Sequence, residues 1–409
     1  MPQTRLTNIM RIFFIALISL LSLTAMSQDT LKIMYYNLLN FPGTTPGRAD
    51  TLRKTVQYIM PDLLVVNELS SEEGAELILN NSLNIGVSET FQRAEFTDGP
   101  DSDNMLFYNA NKLALYSQFE IETELRLINE YVVYTLPIIN DTVFLSLYSA
   151  HLKASDGSEE ENLRYAEAMA FKTHLNTKHK VSNVIFGGDL NIYKSSEKAY
   201  TEITTGQDIP LYDPIFSPAN WHNNSSYANI HTQSTRSSQF GGGATGGMDD
   251  RFDMIFVSTD ILSGAERVRY VSDSYHAFGQ DGQRFNQSIR VPSNSTAPDS
   301  IINALYYMSD HLPVIMDVAI LEEANAIAEA NRLEFDFQIE KNLIRFSSLE
   351  KPLEFKVFDV LGKEVFSKHL NSGMSQFSLP SQINSGVYIL QFIELKSEKS
   401  LMTKKYLDL

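Results

Sequence analysis

Apolar runs that stop at a polar residue recur along the first three quarters of the chain. Residues 31–39 read as a strand that carries Asn37 near its end. Residues 50–60 place Leu52, Val56 and Ile59 at helical spacing, and the run 63–66 gives way to Asn67 and Glu68. Short runs with no alternation suit strands buried on both faces. Residues 72–80 read as helical, and 104–108 and 112–116 as two strands paired with each other. Residues 132–137 and 142–148 continue the strand pattern, the second leading into Ser149, Ala150 and His151. Residues 159–174 form an amphipathic helix, and His174 and His179, without partners at ligand spacing, read as surface residues.

A further buried run, 184–186, leads into Gly187, Gly188, Asp189 and Asn191. The glycines let the backbone turn or come close to a neighbour. In an extended chain Asp189 and Asn191 point the same way. Residues 252–258 form another strand that contains Asp253, and Asp310 and His311 stand directly before the apolar stretch 312–320. Residues 200–250 and 273–299 are loop-rich. The glycines from 241 to 247 lack the Lys-Ser/Thr that a nucleotide-binding loop places after its glycines, so a flexible loop on the substrate side is expected. From residue 333 the pattern changes to short strands at 343–346, 353–359, 363–368, 376–379, 387–393 and 401–406, a small β-sandwich.

Composition narrows the chemistry. The 409 residues contain no cysteine, which excludes disulfides, zinc-thiolate sites and cysteine nucleophiles. Arg5 and Arg11 precede an apolar stretch broken by Ser19, Ser22 and Thr24. That stretch is shorter than the roughly 20 apolar residues of a membrane span and fits a cleaved signal peptide over 1–27. No later segment is apolar enough to span a membrane. The expected organisation is a signal peptide (1–27), a catalytic domain (28–320), a linker (321–332) and a C-terminal domain (333–409). The net charge of −17 sits in the large first part: residues 28–332 hold 21 Lys and Arg against 40 Asp and Glu, whereas 333–409 hold 10 of each. Such a surface lacks the broad basic footprint of tight, processive nucleic-acid binding, but it leaves room for a cleft where a cation does the local work.

Asn37, Glu68, His151, Asp189, Asn191, Asp253, Asp310 and His311 all stand at the ends of otherwise apolar strands. Any one could be turn or cap chemistry, since Gly, Asp and Asn are turn residues anyway. Together they are harder to explain, because a buried, unpartnered carboxylate costs several kcal/mol. A hard divalent cation offsets that cost, and oxygen ligands favour Mg²⁺ over zinc.

The segments MYYNLLN, VVNE, SAHLKA, GGDLNIY, RFDMIF and SDHLPV resemble, in order and spacing, the endonuclease/exonuclease/phosphatase superfamily of DNase I-like proteins. The resemblance implies a four-layer, two-sheet α/β sandwich with its active site where strand ends converge. It implies Glu68 as the main Mg²⁺ ligand, with Asn37 and Asp310 beside it, and Mn²⁺ or Ca²⁺ as substitutes. Asp189 would orient or deprotonate the attacking water, Asn191 would hold the phosphate, and His151 and His311, the latter oriented by Asp253, would grip and protonate phosphate oxygens. The base is either Asp189 or the Asp253–His311 pair. VFDVLGKEVF, INSGVYILQF and TKKYLDL resemble the sorting domain of proteins exported by type IX secretion, which implies that secretion machinery as a partner and a secreted or cell-surface product. The expected function is a monomeric, secreted, metal-dependent phosphodiesterase, foremost an extracellular endonuclease acting on nucleic acid. A sphingomyelinase-like phospholipid phosphodiesterase or small-molecule phosphatase is the alternative, and a non-catalytic surface binding protein a third.

Overall fold

The computed structural model describes residues 29–321, apart from 87–89, 137–141, 179–180 and 206–208, and, with short breaks, residues 337–403. The expected signal peptide, most of the linker and His179 lie outside the described residues. In chain order the first part begins with β1 (Asp29–Phe41), α1 (Arg48–Ile59), β2 (Leu63–Leu69), β3 (Phe91–Arg93) and β4 (Asp103–Asn109). It continues with β5 (Leu113–Ile121), β6 (Ile128–Thr135), β7 (Phe144–His151), α2 (Ser158–Thr177), β8 (Val184–Asp189) and α3 (Lys198–Thr205). It closes with β9 (Leu211–Tyr212), β10 (Asp253–Ser258), β11 (Val268–Tyr270), β12 (His276–Ala277), α4 (Asp299–Met308) and β13 (Val314–Ile320).

The apolar runs assemble into two mixed sheets. One runs β11-β13-β1-β2-β4-β3 with β12 also on β13; the other runs β5-β6-β7-β8-β10-β9. β1 and β2 are parallel and joined through α1, and β7 and β8 are parallel and joined through α2, the helical crossover that parallel neighbours require. The sheets face each other across a core that includes Tyr35, Val65 and Leu106 from the first and Leu147, Ile185 and Ile255 from the second. The Tyr35 hydroxyl crosses between them and donates to the Tyr148 carbonyl at 3.0 Å. On the far side of the second sheet Phe171 of α2 stacks on Phe186 with ring centroids 4.1 Å apart. Burying a phenylalanine of this kind contributes roughly 1.5–3 kcal/mol. The result is the expected four-layer α/β sandwich.

Three details depart from the sequence reading. β4 and β5 do not pair with each other: β4 lies between β2 and β3 in one sheet, and β5 pairs with β6 in the other. The short turn between them passes from sheet to sheet, and a pair of apolar runs separated by a turn looks the same in both cases. Helix α4 begins at the end of the loop-rich stretch 273–299 and has no counterpart in the sequence reading; Pro298 and Asp299 mark its start. His174 is no free surface residue: its Nε2 lies 2.9 Å from Glu130 Oε2 and its ring stacks on Phe119.

The C-terminal part adds β14 (Phe337–Glu340), β15 (Leu343–Phe346), β16 (Leu353–Phe358), β17 (Glu364–Leu370), β18 (Gln376–Ser378), β19 (Ile389–Glu394) and β20 (Ser400–Thr403). They form sheets of order β14-β15-β18 and β17-β16-β19-β20. Leu353, Phe355 and Val357 alternate inward along β16, as one buried sheet face requires. Phe355 meets Phe377 and Phe392, each at 4.8 Å between centroids, which joins the two sheets into a small sandwich.

Candidate active site and metal centre

Strand register brings the polar strand ends level. His151 on β7 is opposite Asp189 on β8, and Asp189 is opposite Asp253 on β10. These three side chains therefore form one row across three adjacent strands. In the other sheet Asn37 on β1 is opposite Asn67 on β2, next to Glu68. The strands approach closely only because two residues are glycine. A Cβ on Gly187 would sit 2.7 Å from the Met254 carbonyl oxygen, and one on Gly188, at φ +131°, would sit 2.0 Å from that of Ala150. Both glycines lie inside β8, so of the two sequence readings close approach applies and the turn does not.

The row and the Asn37–Glu68 pair meet at Asp189. Asn37 Nδ2 donates to Glu68 Oε1 at 2.8 Å and to Asp189 Oδ2 at 2.9 Å. The Nε2 atoms of His151 and His311 each lie 3.5 Å from the same Asp189 oxygen. His311 Nδ1 lies 2.8 Å from Asp253 Oδ2, and the Asp253 N–H is held by Thr232 Oγ1 at 3.1 Å. Asn191 donates its backbone N–H to Asp189 Oδ1 at 3.2 Å and its side-chain amide to the Leu152 carbonyl at 3.1 Å. Asp310 Oδ2 accepts from Gln233 Nε2 at 3.1 Å and from the Ala244 N–H at 2.6 Å. The structure thus links all eight sequence-predicted positions into one neighbourhood. Glu68 (φ +56°) and Asn191 (φ +50°) have left-handed backbones, a conformation that costs on the order of 1–3 kcal/mol away from glycine. Glu68 is held there through both carboxylate oxygens, the second accepting from the Asn40 N–H at 2.9 Å.

The groups respond oppositely to burial. Asp189 is pushed up to about 7, first by burial, then by Asp253 and Glu68, against the pull of His311 and Asn37. For His311 burial opposes the charge, but Asp253, Asp189 and Asp310 outweigh it and hold the imidazole well above its ordinary value. His151 is driven well below it, chiefly by burial, with Arg126 and His311 adding repulsion. One histidine is therefore kept cationic and the other neutral, within reach of one carboxyl group.

A model of the endonuclease/exonuclease/phosphatase family matches residues 34–311. The chain belongs to this family. The secretion system C-terminal sorting domain matches residues 336–407, which supports export to the outside or to the cell surface. No curated protein matches the chain. Among solved structures it is similar to D. rerio TDP2 in complex with a single-strand DNA product, at 13% identity over 71% of this chain and 99% of that one, TM-score 0.47. It is also similar to the human Nocturnin catalytic domain with bound sulfate, at 15% identity over 72% and 97%, TM-score 0.46. A third is an endonuclease/exonuclease/phosphatase from Beutenbergia cavernae, at 12% identity over 93% and 100%, TM-score 0.43. These likenesses say nothing about the substrate of this family member.

The residues present fit a divalent cation. Ligand atoms of Glu68, His151 and Asp189 lie within 4.8 Å of one another. Asp310 Oδ1 is buried and has no hydrogen-bond partner among the described residues, as a ligand atom awaiting its cation would be. Asn37, expected beside the metal, turns its amide nitrogen to the carboxylates and its oxygen to the Leu39 N–H at 2.9 Å. Placed this way, it braces Glu68 and Asp189 as a donor. The sequence reading also missed part of the site. Asn67 Nδ2 donates to Asn104 Oδ1 at 2.6 Å and to Ser149 Oγ at 3.1 Å, and its oxygen accepts the Asp189 N–H at 3.1 Å. Asn104 goes on to Asn129 Oδ1 at 3.0 Å. Asn104 opens an apolar strand just as Asp253 does, and that signal could have found it. Gln233, whose amide nitrogen lies 2.6 Å from His311 Nε2, sits in a polar loop and gave no signal.

Proposed function

We propose that the protein is a secreted, divalent-metal-dependent phosphodiesterase whose substrate is nucleic acid. The observation that carries this reading is an acid and a base placed side by side: Asp189 and His311 are 3.5 Å apart, and Asp253 fixes the imidazole from behind at 2.8 Å. Glu68 and Asp310, with His151 and Asp189 close by, would hold Mg²⁺, which supplies positive charge against the phosphate and leaving oxygens. Asp189, poised near pH 7, takes a proton from the attacking water, because a base works best near the ambient pH. His311, cationic at that pH, donates from Nε2 to a phosphate oxygen. Neutral His151 donates a hydrogen bond to the phosphate without adding charge, and Asn191, its side-chain amide tied to the Leu152 carbonyl, stands beside it to help hold the phosphate. This assigns Asp189 as base and His311 as acid, the choice that the sequence left open. Asn37 and Asn67 position the carboxylates. We further propose that residues 28–320 form the catalytic domain, that 1–27 are removed on export, that 333–409 address the enzyme to type IX secretion, and that the enzyme is a monomer.

The test is a substrate panel of plasmid DNA, RNA, sphingomyelin and bis(4-nitrophenyl) phosphate, each with Mg²⁺ and with chelator. We expect cleavage of nucleic acid and of the simple diester with Mg²⁺ only. Glu68→Ala should abolish both, and His311→Ala should lower kcat by about 10²–10⁴-fold. Cleavage of sphingomyelin alone would overturn the substrate, and full activity in both folded variants would overturn the residue assignment.

A further inference from the structure

A cavity of about 240 Å³ opens beside the proposed metal ligands, between the end of β1, the start of α1, the end of α4 and the glycine-rich loop. Two of its walls belong to the site itself. Asn40 holds Glu68 through its N–H at 2.9 Å, and a Cβ on Gly243 would lie 2.7 Å from the Asp310 carboxyl carbon. Whatever fills the cavity is therefore a neighbour of the group held by those carboxylates. Pockets that enclose a whole small ligand measure roughly 300–1,000 Å³. This one is smaller and suits a single group of a larger substrate.

Charge selects the class of that group. Arg48 and Arg236 line the cavity and are only 9% and 1% exposed. Their guanidinium hydrogen bonds go to main-chain carbonyls: Arg48 to Leu38, Leu39 and Met308, Arg236 to Tyr306, Phe240 and Gly242. Neither has a carboxylate at ion-pair distance among the described residues. Burial accordingly lowers both, Arg48 to about 10. The N–H groups of Gly241, Gly242 and Gly243, all at positive φ, also lack partners among the described residues. In a chain of net charge −17, the hollow presents two buried guanidinium charges, balanced only at longer range by Glu68 and Asp310, together with the three glycine N–H groups.

The rim is aromatic. Phe240 and Tyr307 meet edge to face at 5.1 Å, and Tyr307 is 42% exposed. The Arg290 guanidinium lies 5.4 Å from the Tyr307 ring centre and donates to its hydroxyl at 3.2 Å. Aromatic faces flanked by arginines stack bases in single-strand binding sites. We propose that this cavity is the subsite for the nucleotide next to the scissile bond, its phosphate between Arg48, Arg236 and the glycine amides and its base on Tyr307. The proposal rests on the phosphodiesterase reading and names what that site selects.

The test uses the full chain with Tyr307→Ala and Arg290→Ala combined, two exposed truncations that leave both buried arginines in place. One readout is kcat/KM for a short single-stranded oligonucleotide divided by that for bis(4-nitrophenyl) phosphate, with Mg²⁺. The other is fluorescence-anisotropy binding of a labelled oligonucleotide in chelator. We expect the ratio to fall about tenfold and the Kd to rise about tenfold, the scale of one lost stacked base. Values within twofold of wild type in both readouts would overturn the subsite. A wild-type protein that cleaves neither substrate would instead overturn the phosphodiesterase reading, and the anisotropy measurement would still decide the subsite. Weakened binding to phosphocholine vesicles with unchanged oligonucleotide binding would overturn the nucleotide and assign the hollow to a lipid headgroup.

Discussion

Asp213 and Asp189 are both buried aspartates, and they keep opposite company. Asp213 meets Arg251 through two bonds of 2.8 and 2.9 Å, with the Tyr275 hydroxyl on the same guanidinium at 3.2 Å. Burial works against the Arg251 charge, but Asp213 and Tyr275 outweigh it and raise its pKa. Asp189 meets Asn37, two histidines and, through Asn37, Glu68; no Lys or Arg is at ion-pair distance from it among the described residues. The first arrangement is closed and needs nothing more. The second gathers carboxylates around too little positive charge, which stabilises the fold poorly and leaves a place for a cation. In the reading proposed above, the first buried charge serves structure and the second serves chemistry.

The largest expected effect would break the closed pair. Asp213→Ala leaves Arg251 buried without its partner and should cost about 3–5 kcal/mol in urea unfolding. Glu68→Gln, made in the open cluster, should cost far less under chelator, and a loss as large as that of Asp213→Ala would erase the distinction. Next, Asp253→Asn removes the carboxylate behind His311 and should lower kcat on bis(4-nitrophenyl) phosphate about a hundredfold. The same change should bring the His311 titration down in an NMR pH series, since Asp253 is the leading group that raises it. An unmoved His311 titration would show that Asp189 and Asp310 hold the proton instead.

Metal addition should sharpen the contrast. Mg²⁺ at a hundred times its Kd should stabilise the wild type by about 2.7 kcal/mol, read as a rise in Tm, and should not stabilise Glu68→Gln. A last test reads the pH dependence of Asp189. Its folded pKa, about 7, lies above the unfolded value near 3.8, so between these values the folded chain binds more protons than the unfolded one. Stability from this group therefore falls as pH rises from about 4 to 7. Under chelator Asp189→Asn should match wild-type Tm near pH 4 and exceed it near pH 8. A Tm difference that stays flat or changes the other way would remove the claim that Asp189 is buried at a cost.

Much of this was legible because strand ends are local features. The buried runs at 63–66 and 184–186 announce themselves by composition, and the residue that ends each run is written next to it. The partners of those ends were not legible. That β4 and β5 part into different sheets, and that His174 reaches Glu130, depend on which surfaces meet, and an apolar run does not specify its neighbour. Asn104 carried a weak signal at the start of its strand, whereas Gln233 and the Arg48–Arg236 hollow carried none, because each gains its neighbours from segments far apart in the chain.

The sequence by itself determined the buried runs, the C-terminal strands and the eight polar residues at strand ends, because periodicity and residue type are properties of short segments; the four-layer architecture entered through the family resemblance of those segments. Only the tertiary structure decided that Asp189 is the hub of these contacts, that Asn37 turns its amide nitrogen to Glu68 and Asp189, and that two buried arginines face a cavity beside Glu68. Those outcomes follow from register and close approach: a row of side chains across β7, β8 and β10 exists only once the glycines of β8 let the strands meet.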